Sequence, residues 1–366
     1  MESNDPYRAD QVGSLLRPAE LLAARRDRVD ASRLRDVEDR CILHALAEQE
    51  AAGLSVFTDG ELRRRNFTGD FFAAVDGFGT GDAVGRSWKG SQGGVLHTGA
   101  PGAVRSRLRQ HSRLTAHELP FLQAHSPGPI KMTLPSPTQF PAQSFRKGVT
   151  DAVYADHSDL LRDIVEIIKG EVEALGGEGV DYLQLDAPRY SYYVDPKWRA
   201  WLREQMNAEP EALLVEALAA DNACLHAAHD SGMTLGIHLC RGNNRSQWYA
   251  EGGYDAIAEQ LFNTLEVDRF LLEYDDARSG TFEPLRFVPK GKTVVLGLIS
   301  SKVPQLEDAE SIVRRIEAAA KYVPLENLAL SPQCGFASGT EGNLLTEAEQ
   351  WAKLALVAEV AARVWG

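Results

Sequence analysis

Eight short apolar or β-branched runs, each followed by a loop and usually by a long amphipathic stretch, constrain this chain more than any other feature. The runs are Ala9 to Gly13, Leu54 to Thr58, Pro129 to Leu134 and Val180 to Leu185, then Met233 to Leu239, Arg269 to Tyr274, Thr293 to Ile299 and Asn327 to Leu330. Helical patterns fall between them over Arg33 to Ala52, Asp151 to Leu175, Glu211 to Asp230, Asp308 to Tyr322 and Thr346 to Val364. Eight strands alternating with helices predict an α/β fold of the (β/α)8 TIM barrel type. That fold takes about 250 residues, and more with insertions. A doubly wound open sheet is the rival. The count of eight disfavours it, as does the lack of a glycine-rich phosphate turn after the first run.

The 366 residues are 44% hydrophobic, enough to fill the core of one such barrel over residues 1–366. The main irregularity is 62–126, between the second and third runs, which holds the glycine-rich GFGTGDAVGRSWKGSQGG and then AVRSRLRQHSRLT. An insertion of that length is expected to be a lid or a small added hairpin.

A net charge of −13, from 52 acidic and 39 basic residues, repels a polyanion and argues against nucleic acid as a partner. Arg105, Arg107, Arg109 and Arg113 form a local basic patch, which reads as a solvated face or a lid that meets a small anion. No apolar run reaches the roughly 20 residues of a membrane span, and no signal-like stretch opens the chain. The expected location is the cytoplasm, where a disulfide framework is not expected. Each of the four cysteines then needs its own explanation. Cys41 and Cys224 sit in helical patterns as small buried hydrophobes. Cys240 and Cys334 follow strand-like runs instead.

Barrel enzymes place their chemistry at the C-terminal strand ends. Here those ends read VGSLLRP, TDGELRRR, MTLPSPT, LQLDAPRY, IHLCRGNN, LLEYDD, LGLISSK and SPQCGF. His238 and Cys240 are two apart on one strand, so both side chains face the same way. Imidazole and thiolate together suit zinc. Cys334 ends the eighth strand and completes a Cys2His set of the catalytic type, with a replaceable fourth position. Either His-x-Cys or Cys334 alone is more simply explained by core packing; the three at strand ends of one barrel favour zinc. Glu273 ends the sixth strand and can supply the fourth ligand. Asp275 and Asp276 follow it, and any of the three can be ligand, neighbour or solvated charge.

At these residues, from VGSLLRP to SPQCGF, the chain resembles the cobalamin-independent methionine synthase family. It is most similar to single-barrel members that match the catalytic C-terminal half of the long enzyme. The resemblance implies zinc on His238, Cys240, Glu273 and Cys334, and a thiol activated there for alkylation. It also implies that Gly13, Ser14, Glu61 and Asp186 grip homocysteine. Glu61 and Asp186 suit an ammonium group, with barrel-mouth structure or helix capping as the alternative explanation. The chain also departs from the long synthase. The family's Asp-Glu-Pro reads Asp186-Ala187-Pro188, and Ser300, Ser301 and Lys302 stand where the synthase has a proton-transferring histidine. The loop after the third strand has Phe140 rather than the tryptophan that supports a folate ring.

Three functions follow as expectations. The first is zinc-dependent transfer of a methyl group, from methyl-tetrahydrofolate or a corrinoid, to homocysteine or a similar thiol. The second keeps the activated thiol but alkylates it with an epoxide. Arg241, Arg245 and the insertion's arginines would then bind an acidic thiol such as a sulfonate. The third is a zinc-binding module without turnover. His97, His111 and His117 lie in or near the insertion, where one of them could replace the missing proton donor.

Overall fold

A computed structural model describes residues 6–80, 86–90, 95–98 and 102–366. Six parallel strands form the continuous part of the wall: β5 (Lys131–Pro135), β6 (Tyr182–Asp186), β7 (Thr234–Leu239), β8 (Arg269–Glu273), β9 (Thr293–Ile299) and β10 (Leu328–Pro332). They lie in the order β10-β9-β8-β7-β6-β5, so each strand pairs with its neighbour in sequence. Almost every residue in them is buried, which is why they read as unbroken apolar runs rather than alternating ones. Four smaller strands belong to the insertion: β1 (Val75–Phe78), β2 (Arg86–Lys89), β3 (Val95–Thr98) and β4 (Val104–Gln110).

The first two expected strands are reduced to single bridges. Ala9 pairs in parallel with Leu330, and Phe57 with Ile130, so these segments flank β10 and β5. A side chain interrupts the ladder here. Gln49, on the helix Ala31–Ala51, accepts from the amide of Thr58 at 3.0 Å and donates to its carbonyl at 2.9 Å. Both main-chain groups of Thr58 are thereby taken. The two segments meet through isolated bonds: Leu15 N to Gly60 O at 3.0 Å, Thr58 Oγ1 to Gly13 O at 2.9 Å and Gln11 Nε2 to Val56 O at 2.9 Å. Among the described residues no continuous ladder crosses that seam.

Four of the surrounding helices start at side-chain caps. Asp30, Asp156 and Asp308 each accept an amide of the first turn, and Thr346 with Glu349 forms a reciprocal capping box. Asp156 also corrects the expected start at Asp151: the helix runs His157–Gly177, preceded by a short turn at Thr150–Ala152. Cys41 and Cys224 are buried in helices, as small hydrophobes are.

Within 62–126, β1 pairs with β4 and β2 with β3, both antiparallel. Residues 81–85 and 91–94 of the glycine-rich stretch, and 99–101 after it, lie outside the described residues. The hairpin is tied to the loop after β7, because Lys89 and Trp248 exchange two main-chain bonds of 2.7 and 2.9 Å. Three of the four arginines of the basic patch are held in ion pairs. Arg107 pairs with Asp163, Arg109 with Asp76, and Arg113 with Glu171 and Glu178. Among the described residues no helix is long and apolar enough to cross a membrane.

Candidate active site

The C-terminal ends of β6 and β7, the loops after β5 and β10, and the segments that follow the Ala9 and Phe57 bridges border a cavity of about 290 Å3. Its walls include His238, Cys240 and Cys334 together with Ser14, Glu61 and Asp186. Gly13 is not in the wall. Its φ of +126° makes the turn, and a Cβ there would come within 3.0 Å of the Thr133 methyl.

His238, Cys240 and Cys334 offer ligand atoms that all lie within 4.8 Å of one another, and all three residues are buried. The i, i+2 spacing on β7 sends His238 and Cys240 the same way, and Cys334 arrives from the loop after β10. Neither ring nitrogen of His238 has a hydrogen-bond partner. A buried imidazole with two unanswered nitrogens carries a desolvation cost that a metal ion would remove. The Cys240 thiol pulls Cys334 well below the ordinary thiol range, against burial and with help from His238. Cys240 is pushed well above that range by the Cys334 sulfur and then by burial. Burial would lower His238, but Cys334, Asp186 and Glu273 carry it upward. The donor set therefore fits a borderline-soft cation.

Glu273 is fully buried at the end of β8 and stands outside the group of three. Its Oε2 accepts the amide of Arg241 at 2.6 Å, while Oε1 has no hydrogen-bond partner. Lys302 Nζ lies 3.7 Å from Oε1 and Arg278 Nη2 lies 3.5 Å away. Burial opposes the charge of Glu273, but Lys302, Arg241 and Arg278 outweigh it and hold the group below the usual carboxylate range. Asp276 instead caps the turn Ala277–Ser279 and pairs with Arg278, and Asp275 faces Arg278 at 3.7 Å.

Among the described residues, Glu61 and Asp186 are the two carboxylates of the cavity wall. Glu61 has a φ of +54°, unusual without a glycine, with its amide bound to Asp59 and its carbonyl to Arg17. One carboxylate oxygen, Oε1, accepts from Thr133 at 2.9 Å; the other, Oε2, is buried and unpartnered. Burial pushes Glu61 up, against the pull of Arg64 and Arg17. Asp186 accepts from Gln184 at 2.7 Å, and burial pushes it up to about 7.

Several expected participants lie elsewhere. Arg241 is buried under Tyr254 and donates to the Gly252 carbonyl, and Arg245 pairs with Glu341, so neither reaches the cavity. Phe140 stacks on Phe71 in the core at 4.1 Å. His111 is exposed, and His117 packs near Asp70 and Glu118; the side chain of His97 lies outside the described residues. Ser301 is spent on Gln333 and the Gly335 carbonyl. The sequence reading missed Trp88 of β2, which lines the cavity edge-on to Tyr249 at 5.0 Å. It also missed the loop residues Asn66, Gln139 and Asn243. The one available signal was Gly242. Its φ is +94°, and a Cβ there would sit 2.3 Å from the Tyr249 ring and 2.9 Å from Trp88.

A family described as "Cobalamin-independent synthase, Catalytic domain" matches residues 16–362. The chain is 39% identical to the uncharacterized protein YxjH of Bacillus subtilis, covering 98% of this chain and 95% of that one. It is 26% identical to the methionine synthase of Pyrococcus abyssi over 79% of this chain and 73% of that one. A crystal structure from Listeria monocytogenes, assigned provisionally as a vitamin-B12 independent methionine synthase, is similar with a TM-score of 0.71. It is 28% identical and the match covers 99% of this chain and 98% of that one.

Proposed function

Because the chain belongs to the cobalamin-independent synthase family by its catalytic domain, we propose that it is a methyltransferase that methylates the sulfur of homocysteine or a closely similar amino-acid thiol. The observation that carries this reading is the buried His238–Cys240–Cys334 group opening on a cavity whose charged anchors are both acidic. His238, Cys240 and Cys334 would hold zinc, with Glu273 the fourth ligand. Zinc so bound supplies a Lewis acid that lowers the pKa of a thiol, making a sulfur nucleophile available at neutral pH.

The residues of the chain bind and orient the thiol. Glu61 Oε2 is a buried acceptor with nothing to accept, and Asp186 is its counterpart on β6. Together they suit an ammonium group. Ser14 provides a hydroxyl on the same wall for the carboxylate end. Among the described residues that line the cavity there is no lysine or arginine, which disfavours a sulfonate thiol. Trp88 and Tyr249 close the apolar side and keep water from the sulfur. In the transfer the sulfur–methyl bond forms as the bond between the methyl group and its donor breaks. The donor leaves with the proton the thiol gave up. The hairpin of the 62–126 insertion acts as a lid over this step through Trp88 and the Lys89–Trp248 bridge.

A panel of thiols crossed with alkyl donors tests the reading. The thiols are homocysteine, 4-mercaptobutanoate and 2-mercaptoethanesulfonate; the donors are methyl-tetrahydrofolate, methylcobalamin and an epoxide. The expected result is methionine from homocysteine and a methyl donor. Turnover of the sulfonate with the epoxide, or no thiol methylation with either methyl donor, contradicts it.

A further inference from the structure

We propose that Thr133 and Arg64 are positioning residues that set Glu61 as the acceptor for the substrate's ammonium group, an inference that rests on reading Glu61 as that anchor. One hydroxyl proton decides the direction of the chain of bonds. Arg64 Nη1 lies 3.0 Å from Thr133 Oγ1. A guanidinium can only donate, so Thr133 must accept from it. The single proton of the Thr133 hydroxyl is then free for one other partner. Glu61 Oε1 lies 2.9 Å away and takes it. The carboxylate is left with one oxygen satisfied and the other buried and unpartnered, on a residue that lines the cavity.

Arg64 is itself immobile. It is 3% exposed and holds Glu118 through two bonds, Nε to Oε1 at 2.8 Å and Nη2 to Oε2 at 2.7 Å. Its Nη2 also donates to the Thr133 carbonyl at 3.0 Å, and its Nε lies 2.7 Å from Asp70 Oδ2. Nη1 remains 3.8 Å from Glu61 Oε1, too long for a direct hydrogen bond. The guanidinium therefore orients Glu61 through the threonine. Gly13 belongs to the same device, because any side chain there would press on the Thr133 methyl. Such a chain fixes the carboxylate rotamer before substrate arrives, which favours a cation at the free oxygen over a neutral group of the same size.

The test is equilibrium binding to the full-length protein of L-homocysteine and of 4-mercaptobutanoate, the same thiol without its amine. The measured quantity is the ratio of the two dissociation constants, which is insensitive to the fraction of active protein. The wild type is expected to prefer homocysteine. The preference should fall about tenfold in Thr133→Val, which keeps the volume and loses the proton, and return in Thr133→Ser. Thr133→Ala serves if the valine variant does not fold. A preference lost in Glu61→Gln but kept in Thr133→Val and Thr133→Ala overturns the positioning role and leaves the anchor standing. A preference kept in Glu61→Gln, or none in the wild type, overturns the anchor and the inference together.

Discussion

Asp186 and His238 are register partners on adjacent strands, and the amide of Ala187 donates to the His238 carbonyl at 2.8 Å. A proposed substrate anchor and a metal-ligand candidate are thus fixed by one ladder. The account separates their roles all the same. Asp186→Asn keeps the shape and removes the charge. It should raise the KM for homocysteine about 10–100-fold, the loss of one charge-assisted hydrogen bond. Zinc content should be unchanged. Steady-state kinetics with metal analysis on the same preparation checks both halves.

Trp88 tests the other wall. It reaches the cavity from β2 and packs against Tyr249, far along the chain. Trp88→Ala should raise the KM of the methyl donor about tenfold and leave homocysteine binding within twofold, since base-sized rings gain about 1–3 kcal/mol from an aromatic partner. A change confined to the thiol would place Trp88 on the wrong substrate.

Glu171 anchors the segment that leads out of the insertion. Fully buried on the helix His157–Gly177, it accepts from Arg113, from the amides of Leu114 and Thr115, and from the Thr115 hydroxyl. Burial opposes its charge, but Arg113, Thr115 and the two amides prevail and hold it below the ordinary carboxylate range. An acid depressed in the folded state adds stability above its unfolded value, about 4.3, and loses it as pH falls through the folded value. Glu171→Gln should cost about 2–4 kcal/mol at pH 7. The gap from wild type should narrow below pH 4.3 in denaturant titrations.

Asp221 gives the opposite sign. It joins two loops of the barrel mouth, accepting from Ser136 at 2.6 Å and from Tyr190 at 2.7 Å. Burial pushes it up to about 7, against those two hydroxyls. A raised acid favours the folded state in its protonated form, so its contribution falls as pH climbs from about 4 to about 7 and is flat beyond. Asp221→Asn cannot ionise. Its stability relative to wild type should rise over that window by up to about 4 kcal/mol and then level off, as read from unfolding midpoints against pH.

The strand ends were legible because chemistry there depends on residue type and spacing. His238 and Cys240 two apart on an apolar run could be placed on one face from sequence alone, and β9 could be bounded at Thr293 and Ile299. The reduction of the first two strands to bridges was not legible, because their apolar pattern is real while side chains take main-chain groups that a ladder needs: Gln49 at Thr58 in the second, and Asp10, Lys131 and Gln184 at Gln11 and Val12 in the first. The arginines of the insertion could be read only as a solvated face or a lid over a small anion, because their partners Asp163, Glu171 and Glu178 lie over 50 residues away. Trp88 was hidden for a similar reason, since only the folded hairpin brings it to Tyr249.

Zinc stoichiometry tests the centre of the account most directly, because the proposed chemistry depends on His238, Cys240 and Cys334 sharing one ion. Elemental analysis of the purified full chain should give close to one zinc per molecule. Cys334→Ser should remain folded by circular dichroism and lose most of that zinc. A folded wild-type protein that carries no zinc, and takes none up when it is supplied, would contradict the account.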